Sequence, residues 1–400
     1  MKEKKELGLL PKLAIGIVVG IILGIIFPES LMRIVTTFTS LFGNYLNYVV
    51  PLIIIGFVVP GIADIGKGAG KLVGFTVFLS YASTVAWAIF AYFVSIGLFP
   101  RIIDFSKYGA SGNFEEKLLE PIFVIEMPPL YNITSAILLA FILGIGISAV
   151  KNKTMLDFFN GFQGIVNLVL ERTIIPVLPC YIAGIFAELA YSGQIVEILS
   201  VYGRVFVAVL IVQVVVILLE YLIASIHSGG RITVGELVKN VIPAYLTGIG
   251  TQSSAATIPV NLETAKANGV AKEIRDFLIP LTATIHFAGS SIAITMFAIS
   301  VMMMDSISIS FGTILGFIML MGVTMVAAPG IPGGAVMAAL GLLQGMLGFN
   351  EAQLALMIAL YISQDSFGTA TSVAGNNAVA VIVDTRARRL QLLTEGKAKN

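Results

Sequence analysis

Five tracts without one charged side chain, residues 34–63, 72–100, 127–150, 277–304 and 306–350, set most of what this chain can become. About 20 consecutive apolar residues cross the hydrocarbon core of a bilayer, and each tract reaches that length. The composition agrees: 57% of residues are hydrophobic and 12% charged, against about 25% charged in soluble domains. The chain therefore reads as an all-α polytopic membrane protein with the lipid bilayer as its surroundings. A net charge of +1 offers no basic surplus for nucleic acid. The single cysteine, Cys180, excludes an intrachain disulfide and a cysteine metal cluster, and is expected to pack as a small apolar residue. The charged head 1–6 runs into an apolar stretch ending at Phe27, which fits a first membrane helix better than a cleavable signal peptide.

Hydropathy predicts six spans, near residues 9–27, 35–62, 72–98, 130–150, 158–190 and 198–226. The fifth contains the neighbouring pair Glu171 and Arg172, expected to be structural. Glu220, near the end of the sixth, is expected to reach the interface, as is His227. With both termini in the cytoplasm, 18 Lys and Arg fall inside and 4 outside, the bias that orients plasma or inner-membrane proteins.

After Gly230 a simple count of spans fails. Residues 241–262 carry Pro243 and Pro259 around the polar centre Thr251, Gln252, Ser253 and Ser254, and both flanks are charged. A hairpin that enters and leaves on one side keeps both flanks inside. The stretch 306–350 repeats the pattern around 328–334, where two prolines and three glycines cannot continue a helix. Each hairpin precedes a long span with a polar middle, at 282–290 and at 365–377, and a break is expected in both. Hairpin plus broken helix, entered from opposite faces, is the inverted-repeat pattern of secondary transporters.

Within this polar centre Asp365 is the only charged side chain between Glu351 and Asp384. A carboxylate at that depth costs at least about 2.5–3.5 kcal/mol, which a bound ammonium, metal ion or proton would offset; a structural carboxylate locking two helices is the alternative. Thr369 and Ser372 follow at helical spacing and could address the same cavity. His286 can carry a proton or act as a helix–helix hydrogen bonder. Ser253 and Ser254 offer hydroxyls and N–H groups suited to a carboxylate, or to backbone capping. No Gly-x-Ser-x-Gly element accompanies Ser290 or Ser253, so a hydrolase using His286 is disfavoured. No nucleotide-binding loop is present, and an ion or anion channel is the remaining class.

The stretch from Thr251 to Val260, reading Thr-Gln-Ser-Ser-Ala-Ala-Thr-Ile-Pro-Val, resembles the serine-rich first-hairpin tip of the dicarboxylate/amino acid:cation symporters, the glutamate-transporter family. Pro280 to Ile285 resembles the entry to that family's broken seventh helix, and Gly330-Ile331-Pro332-Gly333 its second-hairpin tip. The resemblance runs from about Leu9 to Thr385. It implies eight transmembrane helices, two re-entrant hairpins, an elevator-type mechanism and a homotrimer. The implied division is scaffold helices at 1–71, transport helix three at 72–100, an extracellular loop and scaffold helices at 101–192, and a transport core with a cytoplasmic tail at 193–400. It also implies a substrate site formed by Gln252, Ser253, Ser254, Ser290, Ile331, Pro332, Gly333, Gly334, Asp365, Gly368, Thr369 and Ser372. Asp365 would hold the substrate ammonium.

The departures narrow the substrate. The arginine that holds an acidic side chain in family members aligns with Gly368, and the hairpin-one arginine with Gln252. Gln364-Asp365-Ser366 followed by Thr369 is nearer the sodium:serine/threonine branch, which implies serine, threonine or alanine rather than a dicarboxylate. The helix-seven motif Asn-Met-Asp-Gly-Thr reads His286-Phe287-Ala288-Gly289-Ser290, and two helix-eight ligands read Ser372 and Asn376. Thr282, Thr284, His286, Ser372 and Asn376 are the ion-coupling candidates. A backbone sodium site near Thr284, Val326 and Ala328 is implied as well. Coupling to Na+, coupling to H+ and uncoupled exchange all stay open; no cofactor and no enzymatic activity are expected.

Overall fold

The computed structural model describes residues 9–65, 71–103, 119–131, 133–193, 195–326, 328 and 333–397. Its helices are α1 (Leu9–Ile26), α2 (Glu29–Ile65), α3 (Lys71–Ile102), α4 (Ile133–Val150), α5 (Lys153–Val169), α6 (Ile175–Tyr191) and α7 (Ile195–His227), followed by α8 (Val234–Thr251), α9 (Ile258–Ala267), α10 (Lys272–Ile285), α11 (Ala288–Met304), α12 (Phe311–Val326), α13 (Gly334–Leu347) and α14 (Glu351–Lys397). No strand occurs among the described residues. Five stretches are long and apolar enough to cross a membrane: Glu29–Pro60, Gly74–Ile102, Lys153–Tyr191, Leu199–His227 and Lys272–Met304. All six stretches read as spans are helical, the first and fourth as shorter apolar helices.

Small residues let α1 and α6 touch backbone to backbone. Gly16, Gly20 and Gly24 recur every fourth residue, and a Cβ at each would run into the carbonyl oxygens of Pro179, Ala183 and Ala187. This is the small-residue packing that apolar helices use where burial alone gives no driving force. Helices α5 and α6 continue through one wide π turn, Leu170–Ile174. Pro176, just beyond it, has no N–H to give the preceding turn, and the wider turn re-registers the ladder. Glu171 and Arg172 sit in this turn and are exposed. Cys180 is also exposed on the single chain, not packed inside it as the sequence suggested.

The extended stretch 119–131 is tied along α2. The Ile122 N–H donates to Thr37 Oγ1 at 2.8 Å, and Asn44 Nδ2 donates to the Ile125 carbonyl at 3.0 Å.

The second half contains two pairs of consecutive helices that pack against each other. In the first, Thr233 and Glu236 cap α8 reciprocally, which satisfies two of its free N–H groups. Gln252, at φ 52° in the left-handed region, ends it, and Pro259 stands in the first turn of α9. The second pair is α12 and α13, with Gly333 at φ 76° opening α13.

The expected break in the first long span is present between α10 and α11. His286 is extended, with φ −111° and ψ 104°. The N–H groups freed there have partners on neighbouring helices: Phe287 N–H donates to Thr84 Oγ1 and Gly289 N–H to Ser372 Oγ. Broken backbone inside an apolar protein persists only with such partners.

The second expected break, at residues 365–377, does not occur. Helix α14 runs unbroken from Glu351 to Lys397. Its polar residues face inward and several bond within the helix: Thr371 to the Phe367 carbonyl, Ser372 to that of Gly368 and Asn377 to that of Val373. Polarity at mid-span was mistaken for a break, although no proline is present to force one.

Just past the apolar stretch 352–383, Asp384 accepts from Arg231 at 2.7 Å, Arg388 at 2.8 Å and the Ala271 N–H at 2.9 Å. It joins the α7–α8 and α9–α10 connections to α14. Burial pushes its carboxyl up, but the Arg388, Ala271 and Arg231 donors outweigh that and hold it below the usual aspartate range.

Candidate functional site

The break between α10 and α11 faces the middle of α14, and two polar clusters form on either side of it. The first is built on α14. Asp365 Oδ2 accepts the Gly333 N–H at 2.7 Å, at the end of the α12–α13 connection. Asp365 Oδ1 accepts from Tyr361 at 2.9 Å and lies 3.3 Å from Thr369 Oγ1. The Tyr361 oxygen stands 2.8 Å from Ser290 Oγ at the start of α11. Tyr361, Asp365 and Thr369 are spaced by four, so one stripe of α14 presents all three. Tyr361 was not singled out from the sequence, although that spacing could have found it.

The α8–α9 turn also meets α14. Gln252 Nε2 donates to Ser366 Oγ at 2.9 Å. Ser253 Oγ accepts the Ala256 N–H, the backbone-capping alternative noted for it, and Ser254 is buried beside it. Gly368 packs against Gly289, whose Cβ would collide with the Gly368 carbonyl. Ser372 does not join Asp365; its hydroxyl is divided between the Gly289 N–H and the Gly368 carbonyl. Gln213 and Gln364 extend the network, Gln364 Nε2 donating to Gln213 Oε1 at 2.5 Å and Gln213 Nε2 to the Gly289 carbonyl at 3.1 Å. Ile331 and Pro332 lie outside the described residues; Gly334 begins α13.

The second cluster surrounds His286. Its Nδ1 is 3.0 Å from Asn376 Oδ1, and its Nε2 is 3.0 Å from Ser83 Oγ and 3.8 Å from Glu220 Oε1. Glu220 Oε1 also meets Ser83 Oγ at 3.0 Å and the Trp87 N–H at 2.7 Å. The sequence reading of Glu220 is therefore corrected: it does not reach the interface but is buried at 5% exposure. An acidic residue within an apolar span was the available signal. Its partners on α3 lie more than 130 residues away in sequence.

Of the other coupling candidates, Asn376 meets His286, whereas Thr282 and Thr284 bond to carbonyls of their own helix. Val326 ends α12, and the Ala328 N–H donates to the Met325 carbonyl. Neither ring nitrogen of His286 bonds to Ser290, which bonds to Tyr361 instead. Among the described residues no group of three or more His, Cys, Asp or Glu could hold a metal ion.

Charge completes the geometry. No Lys or Arg occurs between Arg275 and Arg386, the stretch that supplies the break, the second helical pair and Asp365. A crevice of about 420 Å³ lies elsewhere, beside Thr39, Tyr181, Glu188 and Glu351, and includes none of the predicted site residues.

Residues 9–386 match the model of the Sodium:dicarboxylate symporter family. Curated relatives named serine/threonine transporter SstT are similar over most of their length. The Enterococcus faecalis protein is 28% identical over 353 residues, 84% of this chain and 81% of its own. That of Streptococcus suis is 26% identical over 357 residues, 83% of this chain and 94% of its own. A Streptococcus agalactiae serotype III protein is 24% identical over 348 residues, 84% of this chain and 85% of its own.

Proposed function

The chain belongs to the sodium:dicarboxylate symporter family, and from that premise we propose that it is a secondary transporter of small neutral amino acids such as serine, threonine and alanine. The observation that carries this reading is the setting of Asp365. Its carboxylate is gathered by the Gly333 N–H, Tyr361 and Thr369, with no cation among them. An incoming ammonium can take the place of these donors. A substrate carboxylate on a side chain would be buried without a partner, which is costly. The relatives named serine/threonine transporters support serine and threonine.

In this reading the two helical pairs are re-entrant hairpins whose tips, at Gln252–Ser253–Ser254 and Ile331–Pro332–Gly333–Gly334, close over the substrate carboxylate. Ser290, Gly368, Thr369 and Ser372 complete the lining. Residues 1–71 and 101–192 form a scaffold, while 72–100 and 193–400 travel as an elevator domain. The assembly is a homotrimer in the cell membrane with both termini in the cytoplasm. Substrate binding needs no sodium, and a proton gradient or exchange drives flux.

Counterflow of labelled amino acids in proteoliposomes tests the substrate class. Serine, threonine and alanine should compete and aspartate should not. Tight aspartate binding would overturn the neutral-substrate reading.

A further inference from the structure

Glu220 is a buried carboxylate inside an apolar helix. It sits on α7 at 5% exposure, and among the described residues its only ion-pair partner is His286. Among the described residues no Lys or Arg pairs with it. Helix α3 presents Ser83 and Trp87, the break presents His286, and α14 presents Gly375 and Asn376. The other titratable group beside it on α7 is the phenol of Tyr221, and the charged residues of α8, Glu236 and Lys239, are exposed. Two polar atoms of the cluster, Glu220 Oε2 and Asn376 Nδ2, are buried without a partner. Gly375 permits the close approach: a Cβ there would stand 2.6 Å from both Glu220 Oε2 and His286 Cε1.

Hydrogen counting shows what this arrangement lacks. Asn376 Oδ1 can only accept, so a neutral His286 carries its hydrogen on Nδ1 and leaves Nε2 as an acceptor. Nε2 and Glu220 Oε1 then compete for the single hydrogen of Ser83, whose Oγ lies 3.0 Å from each. One more proton resolves the conflict. Placed on Glu220 Oε1, it is donated to Ser83 Oγ, and Ser83 donates onward to His286 Nε2. The same proton also removes a buried negative charge that the Trp87 N–H offsets only in part and that no Lys or Arg among the described residues pairs with.

We propose that Glu220 is the acid that carries the coupling proton, with Ser83 and His286 completing its hydrogen-bond chain. The step is balanced: an O–H bond of hydronium breaks as one forms on Oε1, leaving neutral water, the carboxylate charge passes from −1 to zero, and release to water on the other side reverses both. This deepens the reading of the chain as a transporter and rests on it. It places the proton on a residue of α7 and gives His286 the hydrogen-bonding role, one of the two the sequence left open for it.

Two measurements on the full-length protein separate this proposal from that reading. In acid-minus-base infrared difference spectra between about pH 5 and about pH 8, the wild type should show one carboxylic-acid C=O band that Glu220→Gln removes and Ser83→Ala shifts. Retention of every such band in Glu220→Gln overturns the proposal. Should that variant not fold, the Ser83→Ala shift decides, and an unshifted spectrum overturns it equally. In proteoliposomes at zero voltage without sodium, one proton per serine sets about tenfold serine accumulation for each pH unit of gradient. No accumulation with serine counterflow intact overturns the coupling role. A Glu220 band without serine counterflow instead refutes the amino-acid reading and leaves the proton site standing.

Discussion

The Tyr361 hydroxyl donates to Asp365 Oδ1 at 2.9 Å from one helical turn away, and its oxygen lies 2.8 Å from Ser290 Oγ across the break. The tyrosine therefore aims the carboxylate from α14 while the start of α11 holds the tyrosine. Tyr361→Phe should weaken serine binding about ten- to a hundredfold, the loss of one hydrogen bond to a charged group. Asp365→Asn should weaken it about a hundredfold or more. Calorimetry on the purified variants reads both, and wild-type affinity in Tyr361→Phe would remove the aiming role.

Replacing sodium by choline should change serine affinity less than about twofold, because Ala288 and Asn376 stand where the family resemblance implies carboxylates. A tenfold dependence, about 1.4 kcal/mol of coupling, would show that backbone and hydroxyl oxygens suffice to hold the ion.

Gly375→Ala should lower the unfolding temperature, since its Cβ would meet Glu220 Oε2 and His286 Cε1 at 2.6 Å. Overpacking of this kind costs about 1–3 kcal/mol. Gly97→Ala is the control, because nothing beyond its own stretch of helix backbone lies within 4 Å of the added carbon. Equal melting of the two variants would mean that the cluster yields.

Asp384 gives a pH-dependent prediction outside the apolar spans. Its folded carboxyl is held below the ordinary range by Arg388, Ala271 and Arg231 against the opposing effect of burial. Its stabilisation is therefore fully present above the unfolded value of about 3.9 and is lost as pH falls through the lower folded value. Asp384→Asn should cost about 2 kcal/mol at neutral pH, and the deficit should vanish in strong acid. Thermal unfolding across pH measures it; a deficit that persists unchanged in acid would assign the effect to shape, not charge.

The helices were legible because a charge-free run of membrane length has few alternatives, and the turn at Gln252 was legible because Pro243, Pro259 and four polar residues interrupt such a run. Asp365 stood out for the same reason. Glu220 did not, because a carboxylate five residues before Ser225 can surface or turn inward, and only Ser83 and Trp87 on α3 decide which. The mistaken break in α14 has a related cause. His286 and the α14 residues are equally polar in sequence. Only the break has Thr84 and Ser372 arriving from other helices to take its freed N–H groups.

The seam between α1 and α6 restricts how the molecule can move. Gly16, Gly20 and Gly24 stand in step with the carbonyls of Pro179, Ala183 and Ala187, and each glycine is followed by an isoleucine: Ile17, Ile21 and Ile25. The contact works as a toothed rack. Screwing α1 by one residue, a rotation of about 100°, would press branched side chains into the carbonyl row, and register returns only after a whole turn of about 5.4 Å. Smooth gliding is forbidden on this face, so the two helices stay still or travel together, and any long stroke inside the molecule must run along a surface without teeth.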